Sequence, residues 1–380
     1  MNEIKNCFAT KAAKYADISA GEFEQFRLRR NDVLFNRTNS FEFVGRTGIV
    51  KEQIDSVFAS YLVRAVPNEQ EILPEYLTVY LNTKFGIGQV KRRAMPSINQ
   101  ANVSAAELKH ILIPMLPMSI QEGVAEKLNK SYELKKKSQR LYSEAQQCLV
   151  NELGLDHVAF EKSIGYESRL SEVVSGNRID AQCYKPDYVN YERFLRKNSK
   201  FELLRPLLSS ITKGNQQTCV QSGTINYVSI KDIDGLELIS DGRCIYESNL
   251  CMANKDDLLL AVTGATIGKV GIVNRYEGLT YSGDLLCLRV NTSLIDPHYL
   301  VAVFQNPILQ SQCQRWITGS TNGHLSPLDV GRFVIPRLLP KIEKDISVNI
   351  IKSLDVRLES EYLIEQAKKQ VEKLIEEAVV

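Results

Sequence analysis

One long charged segment dominates this sequence: MSIQEGVAEKLNKSYELKKKSQRLYSEAQQCLVNEL, residues 118–153. It contains no proline, and no glycine after Gly123. Its apolar residues recur at helical spacing and fall on one stripe, formed by Ile120, Val124, Leu128, Tyr132, Leu141, Ala145 and Leu149. The pattern predicts one amphipathic helix that needs a partner along this stripe.

A second segment of the same kind runs from Ile342 to Ala378. Its stripe is formed by Ile346, Ile350, Leu354, Leu358, Tyr362, Ala367, Val371 and Leu374. Two such helices can pack antiparallel, and at a rise of about 1.5 Å per residue each would be about 50 Å long. We therefore expect a helical spacer.

The residues ahead of the two long segments match each other. The matching pairs, with small gaps between them, are DVLF (32–35) with DLLL (257–260), GRTGIV (45–50) with GKVGIV (268–273), PEYL (74–77) with PHYL (297–300), Arg92 with Arg315, Ser97 with Ser320, and Asn99 with Asn322. The register holds over the whole unit, so the sequence contains two copies of one globular part followed by a long helix. Both copies also carry a strand-like apolar run before the helix, ILIP at 111–114 and VIP at 334–336.

The two copies differ in length on their N-terminal side. The first has 31 residues ahead of Asp32, whereas the second has the whole of 165–255 ahead of its matching strand. We therefore expect the first globular part to be the shorter one.

Composition describes an ordinary globular protein. A hydrophobic share of 44% with 24% charged residues leaves room for two domains. The net charge of +2 means that nucleic-acid binding would have to come from local clusters. No segment is apolar for long enough to span a membrane and the start lacks the apolar core of a signal peptide, so we expect a cytoplasmic protein.

Cysteine and histidine spacing argues against metal or disulfide chemistry. The eight cysteines contain no CxxC pair, and the four histidines have no metal-binding spacing. The sequence therefore predicts reduced thiols and no zinc site.

Polar loops rich in amides and cations follow the predicted strands of both copies. Arginine, lysine, asparagine and glutamine are the side chains that contact phosphates and base edges, although a solvated surface hairpin has a similar composition. The DNA-binding candidates in the first copy are Arg37, Asn39, Arg46, Arg92, Arg93, Asn99 and Gln100. Those in the second copy are Lys213, Asn215, Gln216, Gln217, Thr263, Lys269, Arg315, Ser320 and Asn322.

These stretches resemble the DNA specificity subunits of type I restriction-modification systems, over essentially the whole chain. The most specific stretches are DVLFNRTNS (32–40), VGRTGIV (44–50), SINQAN (97–102) and VIPRLLP (334–340). The resemblance implies an α+β fold with an internal repeat. In it, two target recognition domains, each a twisted β-sheet with helices, are joined by two long antiparallel coiled-coil-like helices. The implied segments are a first domain at 1–117, shortened at its N-terminus, a first helix at 118–153, a second domain at 154–341 and a second helix at 342–380.

The same resemblance implies a non-catalytic subunit that reads a bipartite site in double-stranded DNA. Such a subunit scaffolds methyltransferase (modification) subunits and restriction (motor and endonuclease) subunits. It has no cofactor of its own, because S-adenosylmethionine, ATP and magnesium would belong to the partners. We expect the modification subunit to dock on the helix stripes, at Leu128, Leu141, Leu354 and Leu358. A homodimer that completes the short first domain stays open.

Two other classes of protein remain as alternatives. A self-contained adenine-specific DNA methyltransferase or a nuclease fragment is suggested by FGIG (85–88), GATIGK (264–269) and ELK (107–109). The chain lacks the NPPY or DPPY tetrapeptide that holds a flipped adenine, and Val270 stands where a phosphate loop needs serine or threonine. A purely structural coiled-coil oligomerisation protein would explain the helices, but not the repeated polar loops.

Overall fold

The structure is a computed structural model that describes residues 4–9, 15–53, 55–98, 100–157, 165–247, 249–319 and 322–379. The chain divides into two compact units. Unit 1 comprises Met1–Lys137 and Asp355–Val380, and unit 2 comprises Ser138–Leu354. Both mix helices with short strands, which confirms the predicted mixed class. The division falls inside both long helices, so the four segments derived from the sequence stay a prediction.

Unit 1 is built on a five-stranded sheet in the order β1-β2-β5-β3-β6 and a three-stranded sheet in the order β4-β8-β7. Its strands are β1 (Ile4–Lys5), β2 (Phe8–Ala9), β3 (Val33–Asn36), β4 (Thr38–Asn39), β5 (Thr47–Ile49), β6 (Leu62–Ala65), β7 (Met95–Ser97) and β8 (Gln100–Asn102). Its helices are α1 (Ala20–Phe26), α2 (Pro74–Leu81), α3 (Lys84–Arg93), α4 (Ala105–Leu108) and the first part of α5 (Met118–Leu153).

Unit 2 is built on a six-stranded sheet in the order β10-β19-β16-β17-β13-β12, with further sheets in the orders β14-β11-β18-β15 and β20-β9. Its strands are β9 (Lys200–Leu203), β10 (Leu208–Lys213), β11 (Ile225–Val228), β12 (Ile233–Asp234), β13 (Glu237–Leu238), β14 (Arg243–Cys244), β15 (Met252–Asn254), β16 (Leu258–Ala261), β17 (Val270–Ile272), β18 (Gly278–Tyr281), β19 (Leu285–Val290) and β20 (Val334–Arg337). Its helices are α6 (Leu170–Gly176), α7 (Pro186–Asn198), α8 (Pro297–Gln305), α9 (Pro307–Trp316), α10 (Pro327–Val330) and the first part of α11 (Pro340–Val379).

The two main sheets share one strand order. In unit 1 the order β6-β3-β5-β2-β1 is antiparallel except for the parallel pair β2 and β5. In unit 2 the order β19-β16-β17-β13-β12 has the same directions, with β13 and β17 as the parallel pair. Unit 2 then adds β10 beside β19. In the described part of unit 1, β6 pairs with β3 alone.

Helix α2 shows why these residues fold as they do. Pro74 occupies its first turn, where the missing N–H costs nothing. Tyr76, Leu77 and Tyr80 point into the core, as the sequence predicts. The hydroxyls of the two tyrosines are hydrogen-bonded. Tyr76 donates to the backbone carbonyl of Pro114 (2.7 Å), and Tyr80 donates to that of Leu112 (2.6 Å).

The predicted strand at 111–114 is absent from the described structure, whereas the matching run in the second copy forms β20. Strand β20 pairs antiparallel with β9. A strand needs a neighbour for its backbone groups, and the described part of unit 1 has no counterpart of β9. The prediction of a strand at 111–114 was therefore wrong.

In unit 1 the two long helices pack antiparallel through their apolar stripes. Lys127 contacts Gln370, and the hydroxyl of Ser131 lies 2.9 Å from that of Ser360. The core cluster there includes Val124, Leu128, Ile364, Ala367 and Val371. In unit 2 the core cluster takes up Ala145, Leu149, Ile346, Ile350 and Leu354.

This packing contradicts the expectation that the stripes are open to a modification subunit. Leu128 is fully buried, Leu354 is 4% exposed and Leu141 is 9% exposed. Leu358 is half-buried. The first three side chains already serve the chain's own core and are closed to a partner.

None of the helices in these described ranges has the length and apolar character needed to cross a bilayer.

Candidate nucleic-acid interface

In unit 1 the sequence-predicted residues meet around the small sheet β4-β8-β7. Thr38 pairs with Asn102 and Asn39 with Ala101, while Ser97 pairs with Gln100 across the β7–β8 hairpin. The N–H of Val103 donates to the carbonyl of Arg37. The loop after β3 and the hairpin after α3 therefore form one surface. Asn99 lies outside the described residues.

Two aromatic rings hold cations on this surface. The guanidinium of Arg46 lies 4.0 Å from the ring centroid of Phe43, and the ammonium of Lys91 lies 5.4 Å from that of Phe41. Partial burial lowers the pKa of the Arg46 guanidinium, although the side chain as a whole is exposed. Arginine still keeps its charge at neutral pH. Stacking leaves its N–H groups free to point outward.

The other predicted residues of unit 1 differ in how open they are. Arg92 and Gln100 are exposed. Arg37 is half-buried, with Nη2 donating to Oδ1 of Asn102 (3.5 Å), and Asn39 is buried. Arg93 is held by its own fold, because its guanidinium donates to the carbonyls of Gln89 (3.2 Å) and His110 (2.7 Å).

Sequence reasoning missed the apolar side chains of this surface. Phe41 is 51% exposed, Met95 62% and Ile98 92%. Some DNA-binding proteins insert apolar side chains between base steps beside their cations, so these three residues are further candidates on this surface. The signal was available, because Ile98 interrupts the otherwise polar stretch SINQAN.

In unit 2 the predicted loops meet at one end of the six-stranded sheet. Thr263 donates through Oγ1 to Oδ1 of Asp284 (2.7 Å), and it forms a bridge with His324. The N–H of Gly264 donates to the carbonyl of Gly323 (3.3 Å). The N–H of Gly214 donates to the carbonyl of Leu285 (3.1 Å), so the loops that follow β10 and β16, precede β19 and follow α9 are linked.

Gly214 explains how closely the first of these loops approaches its neighbour. A Cβ atom at this position would lie 2.3 Å from the carbonyl oxygen of Ser282. Only glycine allows this approach. The next residue, Asn215, donates its N–H to the carbonyl of Tyr281 and accepts a hydrogen bond from Sγ of Cys251 (3.1 Å).

Exposure separates the predicted residues of unit 2. The exposed ones are Lys213, Gln216, Lys269 and Asn322. Asn215 and Gln217 are half-buried, Thr263 is 8% exposed, and Ser320 lies outside the described residues. The donors that face outward are therefore two lysines and two amides.

Arg315 contacts residues outside this loop cluster. It forms an ion pair with Glu192 of α7, and its Nε donates to the carbonyl of Cys183 (3.0 Å). Its side chain is 11% exposed. The offset between the two copies pointed to Arg315, but helix α7, which has no counterpart in the described part of unit 1, covers this position.

Equivalent pairings build both surfaces. Thr38 with Asn102 in unit 1 corresponds to Thr263 with His324 in unit 2, and the pair Met95 with Asn102 corresponds to Thr318 with His324. Each surface presents cations and amides, which bind phosphates and the edges of bases. Across the ranges that are described, no group of three or more His, Cys, Asp or Glu side chains is arranged to hold a metal ion.

Comparison with known proteins points to one kind of protein. No family model matches the chain. A protein of Methanocaldococcus jannaschii named "Putative type I restriction enzyme MjaX specificity subunit" is 30% identical over 122 residues, which make up 32% of this chain and 28% of that protein. The match therefore spans less than a third of either chain.

Three solved structures align with most of the chain at low identity. The S subunit of a type I restriction-modification system from M. genitalium is 13% identical over 91% of this chain and 84% of its own, with a TM-score of 0.43. A structure concerned with assembly and conformational transition of the type I R-M system is 15% identical over 90% of this chain and 82% of its own, with a TM-score of 0.35. The HsdS subunit of Thermoanaerobacter tengcongensis is 13% identical over 90% of this chain and 81% of its own, with a TM-score of 0.34. The similarity to type I restriction-modification specificity subunits that the sequence predicts is thus confirmed by the archaeal relative, over the 122 residues that the two proteins share.

Proposed function

We propose that this chain is a sequence-specific DNA-binding specificity subunit of a type I restriction-modification complex. It recognises a bipartite site in double-stranded DNA and scaffolds methyltransferase and restriction subunits. The observation that carries the proposal is the pair of equivalent loop surfaces, one in each unit, with exposed Arg46 and Arg92 in the first and exposed Lys213 and Lys269 in the second.

Two surfaces built by the same pairings suit two half-sites. The proposal assigns one half-site to residues 1–117 and the other to residues 154–341, with 118–153 and 342–380 as the spacer. Helices about 50 Å long correspond to about 15 base pairs of duplex. The gap in the recognised sequence would then be set by the helices and the half-sites by the loops.

The chain itself performs no chemistry in this proposal. Methyl transfer with S-adenosylmethionine, and cleavage driven by ATP and magnesium, belong to the partner subunits. Because Leu128, Leu141 and Leu354 are buried, the partners would dock on outer faces of the chain instead of the helix stripes.

Methylome sequencing tests this function directly. Cells carrying this gene beside a type I modification gene should methylate a two-part motif that disappears when this gene is deleted. The combined change Lys269→Gln and Asn322→Ala should alter recognition of one half of the motif and thereby weaken methylation. It should leave the other half of the motif unchanged.

Lys255→Gln is the matched control. Lys255 is an exposed lysine just before β16, at the opposite end of that strand from the loops. It should leave the methylated motif unaltered. A motif that persists without the gene, or one that responds equally to both sets of changes, would contradict the proposal.

A further inference from the structure

Unit 2 contains a cavity that plays no part in the proposed DNA surface. Its volume is about 470 Å³, and its lining comes mainly from α6, α7, β9, α9 and the turn before β20. Cavities of a few hundred Å³ are the usual size of small-molecule sites. The size alone identifies no ligand, but the charges of its walls do.

The walls carry four arginines and two glutamates. Each glutamate is already paired: Glu172 with Arg193 at 2.6 Å, and Glu192 with Arg196 at 2.9 Å and also with Arg315. The fourth cation, Arg332, has one ion-pair contact within the described residues, a long one of 3.8 Å to Asp329, and it donates to the carbonyl of Gly176 at 3.3 Å. The lining therefore has more positive than negative charge, and Arg332 holds the least neutralised part of it.

Trp316 lines the same cavity, and two guanidiniums lie close to its ring. Arg315 lies 4.9 Å and Arg332 5.3 Å from its ring. The residue is 6% exposed, and its indole nitrogen is buried without a hydrogen-bond acceptor among the described residues. A buried N–H without an acceptor is rare and unfavourable.

We propose that this cavity binds a phosphate group carried on a small molecule of mononucleotide size. Guanidinium groups present paired N–H donors that match the oxygens of phosphate. The excess of arginine over glutamate in the walls equals the charge of a phosphate monoester dianion.

The chain provides its own probe, because Trp316 is its single tryptophan. The full chain is titrated with inorganic phosphate and with adenosine monophosphate at constant ionic strength, and tryptophan fluorescence is followed. We expect a saturable change with both ligands. Tighter binding of the nucleotide supports the proposed organic phosphate, whereas equal binding of the two would restrict the site to free phosphate and overturn a ligand of mononucleotide size.

Three variants separate a built site from general attraction of anions. Arg332→Gln should raise the dissociation constant at least tenfold, and Glu172→Gln, which removes a negative charge but keeps an acceptor for the start of α6, should lower it. Arg243→Gln, a change of an exposed arginine outside the cavity, should have no effect. Circular dichroism establishes that each variant is folded, and calorimetry gives a second measure of binding.

The opposite results are equally clear. A fluorescence change that sodium chloride reproduces would overturn the proposal. So would a response to phosphate and sulfate only at tens of millimolar and equal in Arg332→Gln, which would mean an adventitious ion only. A duplex oligonucleotide that competes for the site while the mononucleotide does not would assign the cavity to DNA and would also overturn it.

Discussion

The side-chain amide of Gln312 is bonded to both backbone groups of Val334: its Nε2 donates to the carbonyl at 2.9 Å, and its Oε1 accepts the N–H at 2.7 Å. Gln89 makes the same pair of bonds with Leu112, at 2.9 Å each. In each unit, the glutamine amide thus bonds both backbone groups of one residue in the apolar run before the long helix, as a neighbouring strand would. In unit 1, where β9 has no described counterpart, this clamp and the hydroxyls of Tyr76 and Tyr80 bond the backbone groups of Leu112 and Pro114.

Replacing Gln312 with leucine should destabilise unit 2 strongly. The change leaves a buried carbonyl and a buried N–H without partners, and each such loss costs about 1–3 kcal/mol. Urea unfolding should therefore show a fall of about 2–5 kcal/mol in the free energy of unfolding. Gln314→Leu, two positions further along the same helix, is the control and should change it by less than about 1 kcal/mol. Equal effects of the two changes would show that the clamp adds nothing.

Shortening Leu128 should destabilise unit 1. This side chain is fully buried among residues of α2, α5 and α11. Leucine-to-alanine changes at such sites cost about 2–5 kcal/mol. Leu112→Ala is the control, because Leu112 is 76% exposed, and its cost should stay below about 1 kcal/mol. Thermal unfolding of the two variants checks this; similar melting temperatures would count against the packing of α5 on α11.

Lys135 should make the stability of unit 1 depend on pH in alkaline solution. Burial, with Lys5 and Arg357 nearby, lowers the pKa of Lys135 to about 8, from 10.5. Between these two values the unfolded chain binds more protons than the folded chain, so the free energy of unfolding rises with pH. The rise is at most about 3.5 kcal/mol, since each pKa unit is worth about 1.4 kcal/mol.

The comparison that isolates this effect is between the wild type and Lys135→Met. Denaturant unfolding at about pH 7.5, 9 and 10 should give a free energy of unfolding that rises with pH for the wild type and rises less for the variant. Other groups titrate in both proteins and cancel in the difference. Parallel curves would mean that Lys135 keeps an ordinary pKa.

The exposed cations of unit 1 should set both the affinity for DNA and the dependence of that affinity on salt. Arg46→Ala and Arg92→Ala should each weaken binding and reduce the slope of log affinity against log salt by about 0.9, the value for one lost phosphate contact. Arg30→Ala, also exposed but outside the small sheet, should leave the slope unchanged. Binding of duplexes that contain the methylated motif, measured at several salt concentrations, decides the matter. A slope that stays constant in the first two variants would remove them from the interface.

Local chemistry made much of the fold predictable. Pro74 signals the start of α2, the short continuous apolar runs VLF and LLLA signal β3 and β16, and the matching offset signals that the same strand order occurs twice. Periodicity also shows that Leu128 needs a partner, but it cannot say that the partner is Ile364 and its neighbours in the same chain.

The candidate site was less predictable, because exposure depends on distant parts of the chain. Arg92 and Arg315 occupy matching positions, yet Arg92 is exposed and Arg315 lies against Glu192. The difference comes from α7, and no local pattern around Arg315 indicates it. Likewise, the residues of the cavity around Trp316 come from four separate stretches, so no motif connects them.

The make-up of unit 1 constrains the order in which it can fold during synthesis. Its core joins Val124 and Leu128 to Ile364, Ala367 and Val371, which leave the ribosome more than two hundred residues later. Contacts so distant in sequence form slowly, and the apolar faces that await them are prone to aggregate. All residues of unit 2, Ser138–Leu354, are made before that last segment. The nascent chain therefore carries these apolar side chains uncovered until residues 364–371 have been made, and a chaperone that binds exposed apolar segments would act there.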